Sequence, residues 1–96
     1  MLILTLLEKH ATEIGAYLFD FSLEPEIVGG DTLFGTPTVS ATPIGLTLGS
    51  PSIVASFTKV LVLISGGVLG TAYVVRVTVE TLDGFTLVGE GRLLIV

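Results

Sequence analysis

The sequence predicts an all-β domain, and more specifically an Ig-like Greek-key β-sandwich of about seven strands with an apolar N-terminal arm. Three observations carry this prediction. β-branched residues alternate with polar ones along short segments, glycine and proline interrupt these segments, and helical periodicity is nearly absent. Short strands separated by turns roughly every 8–12 residues are typical of two packed antiparallel sheets.

Turn-forming segments such as Glu24-Pro-Glu26, Thr42-Pro43, Ser50-Pro51 and Asp83-Gly84 set the limits of the predicted strands. Segment 8–14 is compatible with a helical turn or with a loop. We divide the chain into an N-terminal strand or arm over residues 1–15 and an Ig-like sandwich domain over residues 16–96. The predicted strands are Leu2–Leu7, Ala16–Phe21, Leu33–Ser40, Leu46–Gly49, Ile53–Ser56, Lys59–Ser65, Ala72–Thr81 and Phe85–Val96.

The clearest local pattern is the hairpin that follows Tyr73. Residues 73–80 alternate apolar and polar side chains, which predicts one buried and one wet face, and Asp83-Gly84 supplies a tight turn. Arg76 is expected to meet an acidic residue across the strand pair. Gly89 and Gly91 fall on the inward face of the returning strand, where glycine indicates a bulge or a close backbone approach.

The segment Leu69-Gly-Thr-Ala-Tyr73 is typical of a tyrosine corner, in which a tyrosine hydroxyl bonds back to the backbone of the preceding crossover. This predicts a structural role for Tyr73 rather than a binding role. Gly66–Gly70 has the glycine content of a phosphate-binding loop, but no predicted helix follows it and it lacks the P-loop lysine. We therefore interpret it as a strand-to-strand crossover with positive φ angles.

Composition excludes some partners and favours others. The net charge is −5 and the four basic residues are scattered, so the chain has no cluster that would neutralise nucleic-acid phosphates. No apolar run approaches the roughly 20 residues of a membrane-spanning helix. Half the residues are hydrophobic and mean hydropathy is +0.93. A small domain does not easily hide that much apolar surface, so we expect subunit or partner contacts.

Candidate catalytic chemistry is sparse. The chain has no cysteine and one histidine, His10, in a predicted surface loop. We predict no catalytic residue, no cofactor and no metal site. The acidic residues Asp20, Glu24, Glu26 and Asp31 allow one alternative, a loop that binds a hard cation. Their spacing does not match an EF-hand, which favours a solvated loop.

The N-terminal segment 1–7 is apolar on both faces, with Thr5 as the polar exception. One interpretation is an arm that pairs with a neighbouring chain, because edge strands invite such pairing. The other is a first strand tucked into the domain's own core. The overall hydrophobicity tips the balance slightly towards the arm, and we predict Leu2, Leu4 and Leu6 as interface residues.

Five motifs in order resemble a family of small Ig-like bacteriophage virion proteins, described as fibre–tail adaptors or virion structural proteins. The resemblance covers residues 17–96. Segment 1–16 is more apolar than the usual lead-in, and Phe21 stands where a tryptophan is common. The motifs are Tyr17-Leu-Phe-Asp-Phe-Ser22, Gly30-Asp-Thr-Leu33, Pro43-Ile-Gly-Leu-Thr-Leu-Gly-Ser50, Leu63-Ile-Ser-Gly-Gly-Val-Leu-Gly-Thr-Ala-Tyr73 and Val79-Glu-Thr-Leu-Asp-Gly84.

The resemblance implies a non-enzymatic structural protein of a phage particle, assembled in multiple copies. Its expected place is the neck, the tail–fibre junction or the capsid, and its expected partners are other virion proteins and further copies of itself. No functional residue of the family is available to carry over. The alternative is a stand-alone Ig-like binding module, secreted or at a cell surface, which would recognise its ligand through exposed loops.

Overall fold

A computed structural model describes residues 2–3, 7–54 and 56–96, with Leu2 and Ile3 described by their backbone. The described residues form nine strands and one short helix. In chain order these are β1 (Leu2–Ile3), β2 (Leu7–Lys9), β3 (Gly15–Asp20), α1 (Pro25–Val28), β4 (Leu33–Thr42), β5 (Leu46–Leu48), β6 (Ser52–Val54), β7 (Lys59–Gly66), β8 (Ala72–Thr81) and β9 (Thr86–Ile95).

The strands form two sheets. The larger has the order β1-β9-β8-β4, with β2 also paired to β9, and the smaller has the order β3-β7-β5, with β6 also paired to β7. The chain changes sheet between β2 and β3, between β3 and β4, between β4 and β5, and between β7 and β8. The predicted all-β sandwich is confirmed, and the Ig-like Greek-key assignment stays a prediction.

The core lies between the sheets and follows the period-two pattern of the sequence. In β8 the odd-numbered residues from Tyr73 to Val79 are buried, and in β9 the odd-numbered residues from Leu87 to Ile95 are buried. The smaller sheet contributes Phe19, Val60, Val62 and Ile64 from its inner face. Each buried aliphatic or aromatic side chain stabilises the fold by about 1.5–3 kcal/mol.

The β8–β9 pairing is regular from Ala72 opposite Leu94 to Glu80 opposite Thr86. Gly89 and Gly91 face inward as predicted, but the bulge that they suggested is wrong, because both sit in an uninterrupted ladder. The irregularity in this sheet lies in β4 instead, between Phe34 and Thr38. Proline lacks a backbone N–H, so Pro37 within this stretch cannot donate to a ladder.

Two local predictions need correction or sharpening. Glu24–Glu26 was predicted as a turn, but Pro25 begins the short helix α1, since proline fits the first helical position. Segment 8–14 differs from both alternatives at its start, since residues 8 and 9 belong to strand β2, and residues 10–14 form a turn and loop. Of the predicted strand Leu2–Leu7, the structure describes Leu2, Ile3 and Leu7, while Leu4, Thr5 and Leu6 lie outside the described residues.

The described part of the N-terminal segment pairs in parallel with β9 of the same chain. Leu2 lies opposite Gly89, and Leu7 lies opposite Leu93. These strands therefore cover an edge of the larger sheet that would otherwise present unpaired backbone groups. The division of the chain at residue 15 stays a prediction.

The fold has a long axis, with extents of 41 × 21 × 20 Å. A ten-residue strand spans about 33 Å, so β8 and β9 run most of that length and their ends mark two poles. One pole holds segment 20–34 with α1, the turn 56–59 and the hairpin 80–86; we call it the acidic pole. The other holds loops 10–14, 43–45 and 66–71 and the end of β9; we call it the braced pole.

Candidate interaction surfaces

The middle of the outer face of the larger sheet is polar. Arg76 on β8 lies opposite Ser40 on β4 and Glu90 on β9. The guanidinium Nη2 of Arg76 donates to Glu90 Oε1 at 3.1 Å, as expected from the sequence. An exposed pair of this kind stabilises the fold by at most about 1 kcal/mol.

The outer face of the smaller sheet is more apolar. Ala16 and Leu18 on β3 lie opposite Leu63 and Leu61 on β7, and the side chains of Leu18 and Leu63 are 43% and 47% exposed. The Asp20–Lys59 pair, with 3.8 Å between Oδ2 and Nζ, closes this row at the acidic pole. The two outer faces of the sandwich therefore differ in chemistry.

Backbone hydrogen bonds hold the loops of the acidic pole together. The N–H of Leu33 donates to the carbonyl of Phe57 at 2.8 Å, which joins β4 to the turn before β7. The N–H of Leu82 donates to the carbonyl of Thr32 at 2.9 Å, which joins the hairpin to the segment before β4. Residues that are far apart in sequence thus form one connected surface.

Asp31 strengthens this connection with its side chain. Its Oδ1 accepts the N–H of Thr32 at 2.8 Å and the N–H of Asp83 at 3.2 Å. Burial raises the pKa of Asp31, but hydrogen bonds from the Thr81 hydroxyl and from these two N–H groups outweigh it and hold the pKa below its ordinary value. The carboxylate is therefore ionised at neutral pH and fixes the hairpin to the α1 segment.

The acidic pole exposes large apolar side chains. They come from the three segments of the pole and are Leu23, Val28, Phe34, Phe57, Leu82 and Phe85. Phe57 is 60% exposed and has a φ of 63°, and Ser56 beside it has a φ of 58°. Left-handed backbone is costly for a bulky residue, so the exposed ring of Phe57 is held at a conformational cost.

The charge of the protein is concentrated at the same pole. Six of the nine acidic residues and one of the four basic residues lie there, which leaves this pole with five negative charges. The rest of the chain carries three acids and three bases and is neutral. The residues of the pole are Asp20, Glu24, Glu26, Asp31, Lys59, Glu80 and Asp83.

Asp20 keeps its share of this charge under mildly acidic conditions. Hydrogen bonds from Ser22 lower its pKa, with the N–H of Ser22 at 2.9 Å from Oδ1, and the ammonium of Lys59 lowers it further. The acidic pole is therefore negative at neutral pH.

The braced pole is held by a buried lysine. Lys9 is 1% exposed, and its ammonium donates to the carbonyl oxygens of His10 at 2.7 Å and Gly66 at 2.8 Å. Burying a charge is expensive unless it is hydrogen-bonded, and these two acceptors offset that cost. Lys9 thereby ties β2 to the end of β7.

Tyr73 braces the same pole. Its hydroxyl accepts the N–H of Val68 at 3.0 Å, and its ring is buried. A Cβ on Gly45 would lie 2.6 Å from this hydroxyl, so the β4–β5 loop also packs against the tyrosine. Positive φ angles at Gly66, Gly67 and Gly70 confirm the interpretation of this segment as a strand-to-strand crossover.

The braced pole also exposes apolar residues. They are Ile14, Ile44, Val68, Leu69 and Val96. Ile44 at the tip of the β4–β5 loop is 98% exposed. Both ends of the sandwich therefore expose apolar side chains, and they differ in that only the acidic pole carries net charge.

The remaining predicted site residues are dispersed. Leu2 lies in β1 on the edge of the larger sheet, Leu4 and Leu6 lie outside the described residues, and the role of the three as an interface stays a prediction. His10 is exposed, and its backbone N–H donates to Glu13 Oε1 at 2.8 Å. Among residues 2–3, 7–54 and 56–96, no three acidic or histidine side chains come together as a metal site, and no helix is long and apolar enough to cross a membrane.

Lys9 and the apolar surface of the acidic pole were missed by sequence reasoning. The acceptor of Lys9 at Gly66 is 57 positions away, so only tertiary structure reveals the contact. The cluster of acidic residues between Asp20 and Asp31 is visible in the sequence. That Glu80 and Asp83 lie at the same pole depends on which loops the fold brings together. Phe85, next to the Asp83-Gly84 turn, was the one sequence feature that indicated an exposed apolar residue at this pole.

The exposed apolar side chains at the two poles of the β-sandwich are its candidate interaction surfaces. The family model described as podophage GP4 fiber-tail adaptor protein gp77 matches residues 9–93. The chain belongs to this family. It is therefore a virion structural component of a phage, and the resemblance seen in the sequence is confirmed. No individual curated protein matches the sequence.

Proposed function

We propose that this protein is a non-enzymatic structural subunit that joins fibres to the tail of a podophage and is present in several copies. Family membership carries this proposal. The family description favours the tail–fibre junction over the neck and the capsid, which the sequence also allowed. Other virion proteins, namely tail and fibre proteins, are the partners that this function requires.

The surfaces of the sandwich support a bridging role. The protein is about twice as long as it is wide, and both poles expose apolar side chains that a binding partner would cover. Strands that run most of the length between the poles make the body stiff, which suits a spacer between two partners. Several weak contacts become firm when many copies engage a symmetric tail together.

The proposed function is tested by removing the chain from the particle. Phage propagated with a nonsense mutation in this reading frame, in a non-suppressing host, should yield particles with heads and tails but without attached fibres. Adding the purified protein together with purified fibre protein should restore fibres in electron micrographs. Particles that keep a full set of fibres without this chain would refute the role.

Assembly in several copies has its own measurement. Light scattering of the purified chain should give a mass larger than the 10.0 kDa of one copy. If Leu2, Leu4 and Leu6 form the interface, replacing all three with serine should reduce the mass to that of a monomer. A monomeric wild type that binds its tail in several copies would place assembly on the partner instead, and the same serine variant would then bind unchanged.

A further inference from the structure

We infer that the acidic pole is a docking surface for a protein partner whose contact surface carries lysine and arginine around an apolar centre. This inference rests on the proposed function and deepens it, because it names one of the two bridging surfaces and the chemistry of what covers it. The inference follows from three independent features of the pole: its exposed apolar side chains, its charge and its backbone.

The exposed apolar side chains lie on segments that backbone hydrogen bonds join at one end of the sandwich. Phe57 and Phe34 lie on neighbouring segments, since Leu33 bonds to the carbonyl of Phe57. Leu82 and Phe85 lie on the hairpin that bonds to Thr32 and Asp31. Exposed aromatic and aliphatic residues grouped in this way are typical of the centre of a protein interface.

Charge decides what kind of surface fits. The pole carries the entire net charge of the protein, five negative charges, while the remainder is neutral. A second copy presenting the same pole would be repelled, and nucleic-acid phosphates would be repelled as well. A basic protein surface is attracted, and the attraction also steers it into the correct orientation.

The backbone at Phe57 is the third feature. A phenylalanine at a φ of 63° and 60% exposed gains little from burial inside its own chain and occupies a conformation that glycine or asparagine adopts more easily. Backbone strain of this kind is concentrated at binding sites, where the side chain serves a partner. Phe57 is therefore the residue that we place at the centre of the contact.

The test measures binding of the full-length protein to two probes separately: purified particles that lack this chain, and purified fibre protein. One pair of double variants is matched in charge. Glu80→Gln with Asp83→Asn removes two charges from the acidic pole, and Glu8→Gln with Glu13→Gln removes two charges from outside it. A second pair compares Phe57→Asn with Ile44→Asn, which truncates an exposed apolar residue at the braced pole.

The expected result is a loss of affinity of about tenfold or more for Phe57→Asn towards one of the two probes, with the other probe unaffected. The Glu80/Asp83 variant should weaken binding to that same probe and reduce its salt dependence, whereas the Glu8/Glu13 variant should not. Ile44→Asn should leave that probe's binding unchanged. Thermal melts of all variants confirm that each is folded.

Two outcomes would overturn the inference. If both acidic-pole variants are folded and bind both probes as tightly as wild type, the pole is not a docking surface. If the two charge variants have equal effects, net charge rather than the pole governs binding. A wild-type protein that binds neither probe would instead refute the proposed adaptor function, so the two failures are distinguishable.

Discussion

The two poles of this sandwich are built in opposite ways. At the braced pole the important polar groups are inside, where the side chains of Lys9 and Tyr73 form hydrogen bonds with backbone atoms of neighbouring segments. At the acidic pole the charged and aromatic groups are outside, and Asp31 fixes the loops that carry them. Both poles expose apolar side chains, but one is stabilised by buried polar groups, while the other displays its charge to solvent and is joined by the Asp31 carboxylate.

This division predicts that substitutions at the braced pole cost stability. Lys9→Met keeps the buried stem but removes the ammonium that bonds to His10 and Gly66, and we expect a loss of about 2 kcal/mol in the free energy of unfolding. Lys59→Met is the control, because Lys59 makes a half-exposed ion pair at 3.8 Å and should change stability by less than about 1 kcal/mol. Urea unfolding measures both. Equal losses of stability in the two variants would contradict the stabilising role of the buried Lys9 ammonium.

A smaller loss is expected for Tyr73→Phe, which removes the acceptor for the Val68 N–H and keeps the buried ring. The cost should be about 1 kcal/mol, the net value of one hydrogen bond. Tyr17→Phe deletes a hydroxyl from the other, less buried tyrosine and should change the free energy of unfolding by less than about 0.5 kcal/mol. If Tyr73→Phe costs as little as Tyr17→Phe in urea unfolding, the corner bond is not stabilising.

Substitution of Phe57 at the acidic pole should have the opposite sign. Phe57→Asn places a residue that tolerates left-handed backbone at φ 63°, and should leave the fold unchanged or stabilise it by up to about 1 kcal/mol. Phe34→Asn is matched, since Phe34 is 57% exposed but lies in a strand. There asparagine is a poor strand former, so a loss of up to about 1 kcal/mol is expected. Thermal or urea unfolding measures the stability of both variants. Similar losses in the two would show that the left-handed backbone at Phe57 stores no strain.

The last prediction concerns the stability of the protein as the solution is acidified. The folded pKa of Asp31 is lower than its unfolded pKa of about 3.9. Its contribution to stability is therefore fully present above that unfolded pKa and is lost as the pH falls through the lower folded pKa. Asp31→Asn should flatten the decline of melting temperature on acidification. Asp83→Asn keeps the backbone bond to Asp31, so its melting temperature should decline more steeply on acidification than that of Asp31→Asn. An unchanged acid profile in Asp31→Asn would show that other carboxylates control it.

Much of the interior was predictable from sequence because it depends on local periodicity. Alternation in 73–80 gives the buried face of β8 directly, and Asp83-Gly84 marks the hairpin turn. The helix at Pro25 was missed since four residues carry too little periodicity to distinguish a helix from a turn. Gly89 and Gly91 indicated a bulge or a close backbone approach, and the bulge is wrong because both residues lie in an unbroken ladder.

The surfaces could not be predicted in the same way. Whether Leu23, Phe57 and Leu82 share a surface depends on the order of strands in two sheets, which no local pattern encodes. The acidic charges between Asp20 and Asp31 are visible in the sequence, but their union with Glu80 and Asp83 at one pole is a property of the topology. Lys9 was counted only as a scattered base because its acceptors come from the chain fold.

The parallel pairing of the N-terminal strands with β9 has a mechanical consequence. Force that pulls the two chain ends apart acts along these strands in opposite directions, so it loads their hydrogen bonds in shear. The bond from Val96 N–H to the Lys9 carbonyl, 2.8 Å long, lies at the end of this pair and bears load together with its neighbours. Bonds loaded in shear must break together rather than one after another, so the sandwich should resist tension along its long axis better than tension across it.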